Sequence, residues 1–143
     1  MLRKIRLEFP ADPSLLEEIR EAVYKHALNL GLNENRAYEL TLAVDELISN
    51  VIEHSYESGE GTIYVTIDTE PDRLKLTIED HGKPFPEEVL EGVKKKPPDI
   101  NQMVKEKKNG GMGLFLMLKM LDKVEYRRKD NKNIWILEKH KAN

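Results

Sequence analysis

The order in which hydrophobic periodicity changes along this chain limits its fold more than any other feature. Residues 2–9 alternate with a period near two, Ile5, Leu7 and Phe9 against Lys4, Arg6 and Glu8, which predicts a strand. From Asp12-Pro13, an N-cap followed by a first-turn proline, the spacing turns helical through Leu15, Ile19, Val23, Ala27 and Leu30, and Gly31 reads as the stop. Asn33 can cap a second helix running to about Tyr56, with an apolar stripe of Leu40, Val44, Leu47, Ile48 and Val51. Residues 62–69 and 73–79 alternate again around Glu70-Pro71-Asp72, a turn composition, and predict a hairpin. Periodicity then fails over residues 81–109, where Pro84, Pro86, Pro97 and Pro98 recur and lysines cluster at 94–96 and 105–108. A loop of that length inside a compact domain is a functional lid or disordered. Residues 112–121 read as a short apolar helix, and 123–128 with 134–139 as a second hairpin around Asp130-Asn131-Lys132-Asn133.

The order β-α-α-β-β-lid-α-β-β predicts an α+β fold, a two-layer sandwich with helices on one face of a mixed, mostly antiparallel sheet. No repeat or linker divides the chain, so residues 1–143 are expected to form one domain, with a lid at about 83–110. Composition excludes several functions. With 23 Lys+Arg against 26 Asp+Glu, nothing points to nucleic-acid binding through bulk charge. The absence of cysteine excludes disulfides, thiolate metal sites and a cysteine nucleophile. The N-terminus lacks the apolar core of a signal peptide, and no apolar run approaches the ~18 residues of a membrane span. A soluble cytoplasmic domain is the expectation.

Three segments carry the chemistry. Glu46 and Asn50 lie four residues apart on one helix face, at the border of the apolar stripe. Such a pair is either the solvated edge of an amphipathic helix or the lining of a cleft. In a cleft, the asparagine carbonyl suits Mg²⁺ and the carboxylate suits proton abstraction in phosphoryl transfer. His54 extends the same face. Asp80 ends an apolar strand (Leu74, Leu76, Ile78) and Gly82 follows it. This is either a plain turn or a buried carboxylate that accepts from the exocyclic amine of adenine, with Gly82 admitting the base. The cluster Asn109-Gly110-Gly111-Met112-Gly113-Leu114 opens a helix. It is either a flexible loop end or a set of backbone N–H groups able to close on a polyphosphate, with Lys105, Lys107 and Lys108 adding positive charge. It is neither a Walker P-loop nor a Rossmann fingerprint.

Together, Glu46-x-x-x-Asn50, Asp80-x-Gly82 and Gly111-x-Gly113-Leu114 resemble the three nucleotide boxes of the GHKL ATPases. The phrases Ala43-Val44-Asp45-Glu46-Leu47-Ile48-Ser49-Asn50-Val51-Ile52-Glu53-His54 and Asp80-His81-Gly82-Lys83-Pro84-Phe85 are similar to the bacterial anti-sigma factor serine kinases. The likeness covers nearly the whole chain. It implies the GHKL (Bergerat, histidine-kinase-like ATPase) form of the sandwich, and ATP with Mg²⁺ as cofactors. Asn50 would ligate the metal and Glu46 would be the catalytic base for a serine hydroxyl. Asp80 and Gly82 would hold adenine, while Lys108, Gly110, Gly111, Met112, Gly113 and Leu114 would meet the phosphates and His54 would line the site. The implied partners are a STAS-type anti-anti-sigma protein and a sigma factor, with the chain itself a homodimer. Pro84 stands where many GHKL proteins have a second glycine. Asn131-Lys132-Asn133-Ile134 stands where Gly-Thr often precedes the last strand, and no arginine lies between Arg73 and Arg127. Two alternatives remain: an ATP-binding module that captures a partner without phosphorylating it, and a detached histidine-kinase catalytic domain.

Overall fold

A computed structural model describes residues 4–55, 61–88, 91 and 111–142. Strand β1 (Lys4–Pro10) leads into helices α1 (Leu16–Asn29) and α2 (Glu34–Ser55). Strands β2 (Thr62–Thr69) and β3 (Arg73–Asp80) follow, then helix α3 (Gly111–Met120), then β4 (Lys123–Lys129) and β5 (Lys132–His140). Leu2, Tyr56 and the expected lid other than residues 83–88 and 91 lie outside the described residues.

The local signals explain the boundaries. Asp12 does cap, its Oδ1 accepting from the Ser14 N–H at 2.9 Å. The turn it opens is a 3-10 turn over Pro13–Leu15, and the α-helix proper begins at Leu16. Pro13 brings no N–H, and the Leu15 N–H closes back on the Asp12 carbonyl at 3.0 Å. At the other end Leu32 donates to the Ala27 carbonyl and Gly31 to that of Leu28, with Gly31 at φ +112°. That is a Schellman stop. Asn33 caps α2, Oδ1 accepting from the Arg36 N–H at 2.8 Å.

The five strands run in the order β1-β2-β3-β5-β4. All four pairings are antiparallel, so the parallel contact that a mixed sheet would contain is absent among the described strands. β3 and β4 do run parallel, but β5 inserts between them, a split crossover. One face of the sheet buries Ile63, Val65, Ile67, Leu74, Leu76, Ile78, Trp135 and Leu137. Ile19, Val23, Leu40, Leu47, Ile48 and Met117 from the helices complete the same core. The opposite face is polar. One cross-strand row reads Lys4, Asp68, Lys75, Glu138, Lys123, alternating in sign across every strand. Opposed charges favour this pairing, and a one-residue slip would bury the row.

The last hairpin departs from expectation in a way that matters for the site. Asp130 and Asn131 alone form the turn, at φ 52° and 62°, and β5 starts at Lys132 rather than at residue 134. Asp and Asn tolerate the left-handed region, and such a two-residue turn matches the twist of the flanking strands. The shorter turn draws Asn133 into the sheet, directly opposite Asp80.

Candidate functional site

The three sequence segments lie on α2, at the end of β3 and at the start of α3. α2 runs towards that end of β3, since its last residue precedes Thr62 by one short connection and the start of β2 pairs with the end of β3. α3 runs antiparallel to α2. Gly113, near its start, lies against Glu46, while Lys139 Nζ joins the carbonyl of Met120, its last residue, to Glu39 Oε2 farther back on α2.

Glu46 sits on the α3 side of α2. An ideal β-carbon on Gly113 would lie 2.5 Å from Glu46 Oε2 and 3.4 Å from its carboxyl carbon. Glycine is therefore what lets the carboxylate reach the opening turn of α3. Burial, then the negative charges of Asp45 and Glu53, push the Glu46 carboxyl above the usual glutamate value. Asp45 faces Arg20 at 3.8 Å through Oδ2. Its Oδ1 is buried and accepts no hydrogen bond among the described residues. Asn50, one turn beyond Glu46, is partly exposed. The side chains of His54, Gly111, Met112 and Leu114 lie outside the description, as do Lys105, Lys107, Lys108 and Gly110 altogether.

At the end of β3 the buried positions run Leu74, Leu76, Ile78, Asp80, so the carboxylate takes the next inward place after three aliphatic residues. Asp80 is 0% exposed. A charge there requires strong donors. Its Oδ1 accepts from the Gly82 N–H at 2.8 Å and from Asn133 Nδ2 at 3.0 Å. The segment that follows is tied down from β4 and β5. Asn133 Nδ2 also reaches the Lys83 carbonyl at 2.8 Å, and Arg128 Nη1 donates to the Gly82 carbonyl at 2.7 Å. The Phe85 N–H donates to Tyr126 Oη at 2.9 Å. The rings of Phe85, Tyr126 and Trp135 pack with centroids 4.7–5.8 Å apart. Pro84-Phe85, where a second glycine is common, thus leads into an aromatic anchor.

Asn133, Tyr126 and Arg128 were not among the expected site residues. The signal that finds them is Asp130-Asn131, a favoured pair for a two-residue turn, which sets the register of Asn133. Chemically the site offers a buried acceptor with a glycine beside it. It also offers a carboxylate at the start of a glycine-opened helix, with a carboxamide one turn farther along α2. A carboxamide oxygen is of the kind that suits Mg²⁺, and a helix start with free N–H groups is of the kind that suits a phosphate.

The sequence and the fold both have known counterparts. The family model for the histidine kinase-like ATPase domain matches residues 9–139. The serine-protein kinase RsbW of Halalkalibacterium halodurans is 30% identical over 121 residues, covering 85% of this chain and 74% of that protein. The protein of the same name from Bacillus mycoides is 27% identical over 122 residues, covering 85% and 76%. Among solved structures, a chain of the SiaB–SiaC complex from Pseudomonas aeruginosa superposes with a TM-score of 0.65 at 14% identity, covering 95% of this chain and 88% of that one. The catalytic domain of histidine kinase ThkA gives 0.58 at 18%, covering 97% and 99%. The fold is the GHKL two-layer sandwich, and the chain belongs to the histidine kinase-like ATPase family. Within that family it stands with the RsbW serine-protein kinases. Among the described residues, no helix is long and apolar enough to cross a membrane.

Proposed function

We propose that this chain is an ATP-dependent protein serine kinase that phosphorylates a STAS-type anti-anti-sigma protein and also, as a homodimer, sequesters a sigma factor. The observation that carries the kinase reading is the Glu46–Gly113 contact, which puts a carboxylate of raised pKa beside the glycine-opened start of α3. A base working near neutral pH needs such a raised carboxyl, and the phosphates need such a helix start. The name of the sequence relatives, serine-protein kinase, supports the same chemistry.

In this reading Asp80 accepts from the adenine amine and Gly82 lets the base approach. Backbone N–H groups from Gly110 to Leu114, with Lys108, meet the phosphates. Asn50 would hold Mg²⁺, which would supply neutralisation of phosphate charge. Glu46 orients the partner's serine hydroxyl and takes its proton as the serine oxygen bonds the γ-phosphorus. The bond from that phosphorus to the β–γ bridging oxygen breaks, and ADP leaves. His54 extends the same helix face.

The test is incubation of the purified chain with labelled ATP, Mg²⁺ and a STAS protein. Phosphoserine on the STAS protein is the expected product. Nucleotide binding without phosphoserine identifies instead a module that captures its partner without modifying it. The lack of an arginine between Arg73 and Arg127, which leaves the lid no guanidinium for the γ-phosphate, favours that second reading.

A further inference from the structure

The hydrogen-bond chain behind Asp80 has a fixed direction. A backbone N–H can only donate, so Phe85 donates to Tyr126 Oη at 2.9 Å, and the tyrosine proton is directed to Asn133 Oδ1 at 2.5 Å. Arg128 Nη1, also a donor only, reaches the same Oδ1 at 3.2 Å. Oδ1 is thereby identified as the amide oxygen, and Nδ2 faces the backbone carbonyls of Lys83 (2.8 Å) and Gly82 (3.5 Å), which can only accept. Turning the amide over would set its N–H₂ against the Arg128 guanidinium and its oxygen against two carbonyls at once. Its remaining contact, Nδ2 to Asp80 Oδ1 at 3.0 Å, must then be a donated bond. The Gly82 N–H converges on the same oxygen. Burial keeps Tyr126 in its protonated, donating form.

We infer that Asn133 is the positioning residue that sets the base preference of this site, holding Asp80 as an acceptor through a chain whose polarity is fixed by backbone groups. An ionised carboxylate only accepts, so it pairs with the exocyclic amine of adenine and opposes the carbonyl that guanine presents at the equivalent position. Both the Gly82 N–H and Asn133 Nδ2 donate to its Oδ1, which leaves that oxygen acting as an acceptor. This inference rests on the nucleotide reading above, and Asn133 lies in the stretch that stands where many family members carry Gly-Thr.

The test is calorimetric titration of the full chain with ATP and with GTP in Mg²⁺, comparing wild type with Asn133→Asp and Tyr126→Phe. Asn133→Asp keeps the shape and removes the donor, whereas Tyr126→Phe keeps the ring and removes the hydroxyl that orients the amide. ATP affinity should fall roughly tenfold or more in Asn133→Asp and less in Tyr126→Phe. GTP affinity should change far less, so that the ATP/GTP ratio collapses. A merely structural role would weaken both nucleotides alike, and an unshifted ratio in folded variants overturns the inference. If Asn133→Asp does not fold, Tyr126→Phe decides alone. A wild-type chain that binds ATP and GTP equally also overturns it, leaving the nucleotide site standing. Binding of neither overturns the nucleotide reading itself.

Discussion

Gly113 and Glu46 occupy one space between α3 and α2: a β-carbon on the glycine would fall 2.5 Å from the glutamate Oε2. The atom in the way is the far end of a flexible side chain, so an alanine there displaces Glu46 rather than the backbone. Alanine is also favoured over glycine in a helix by up to about 1 kcal/mol. Gly113→Ala should therefore melt at or above the wild-type temperature while phosphoserine formation drops by about 10²-fold, the usual penalty for a misplaced reacting group. Calorimetry paired with a transfer assay checks this. Full transfer in the alanine variant would detach Glu46 from the chemistry.

Glu46→Gln should bind ATP normally and lose transfer by roughly 10²–10⁴-fold, as for a lost general base. It should also stabilise the fold at neutral pH. The folded carboxyl titrates above its ordinary value of 4.5. Its favourable contribution is complete below that value and is lost as pH rises through the raised folded value. A neutral glutamine does not incur this loss. Melting curves in acid and at neutral pH should show a gain that appears only at the higher pH; a pH-independent difference would contradict the burial argument.

Asn50→Ala should abolish Mg²⁺-dependent nucleotide binding without changing the melting temperature appreciably. The residue is partly exposed at the edge of the apolar stripe, where substitutions ordinarily stay within about ±0.5 kcal/mol. Titration of ATP with and without Mg²⁺ reads it out, and unchanged affinity removes Asn50 from the site.

Glu138 offers a control on the polar face. Its hydrogen bond to Arg73, at 2.6 Å, holds the carboxyl below the ordinary 4.5 despite the opposing effect of burial, and Lys123 at 3.4 Å adds to it. The stabilisation is present above the unfolded value and is lost as pH falls through the depressed folded one. Glu138→Gln should lower the melting temperature by a few degrees at neutral pH, converge with wild type in acid and leave ATP binding untouched.

Much of this architecture was legible from local signals. Asp12, Gly31 and Asn33 mark helix ends because the groups that satisfy a helix terminus lie within a few residues of it. The stripe from Leu40 to Val51 and the alternation of Leu74, Leu76 and Ile78 name the core because periodicity alone decides which face is buried. The same logic brought Glu46, Asn50 and Asp80 forward as edge and end positions.

What the sequence determined by itself was thus the succession of elements, the buried faces and the three chemically suggestive segments, all properties carried by neighbours along the chain. Which distant residues touch was decided only by the tertiary structure. Gly113 serves Glu46 because α3 packs antiparallel on α2 at that height. Asn133 holds Asp80 because a two-residue turn sets the register of β5 against β3. Both contacts depend on packing distance and strand register, which are fixed only when the sheet and the helix layer close on a common core.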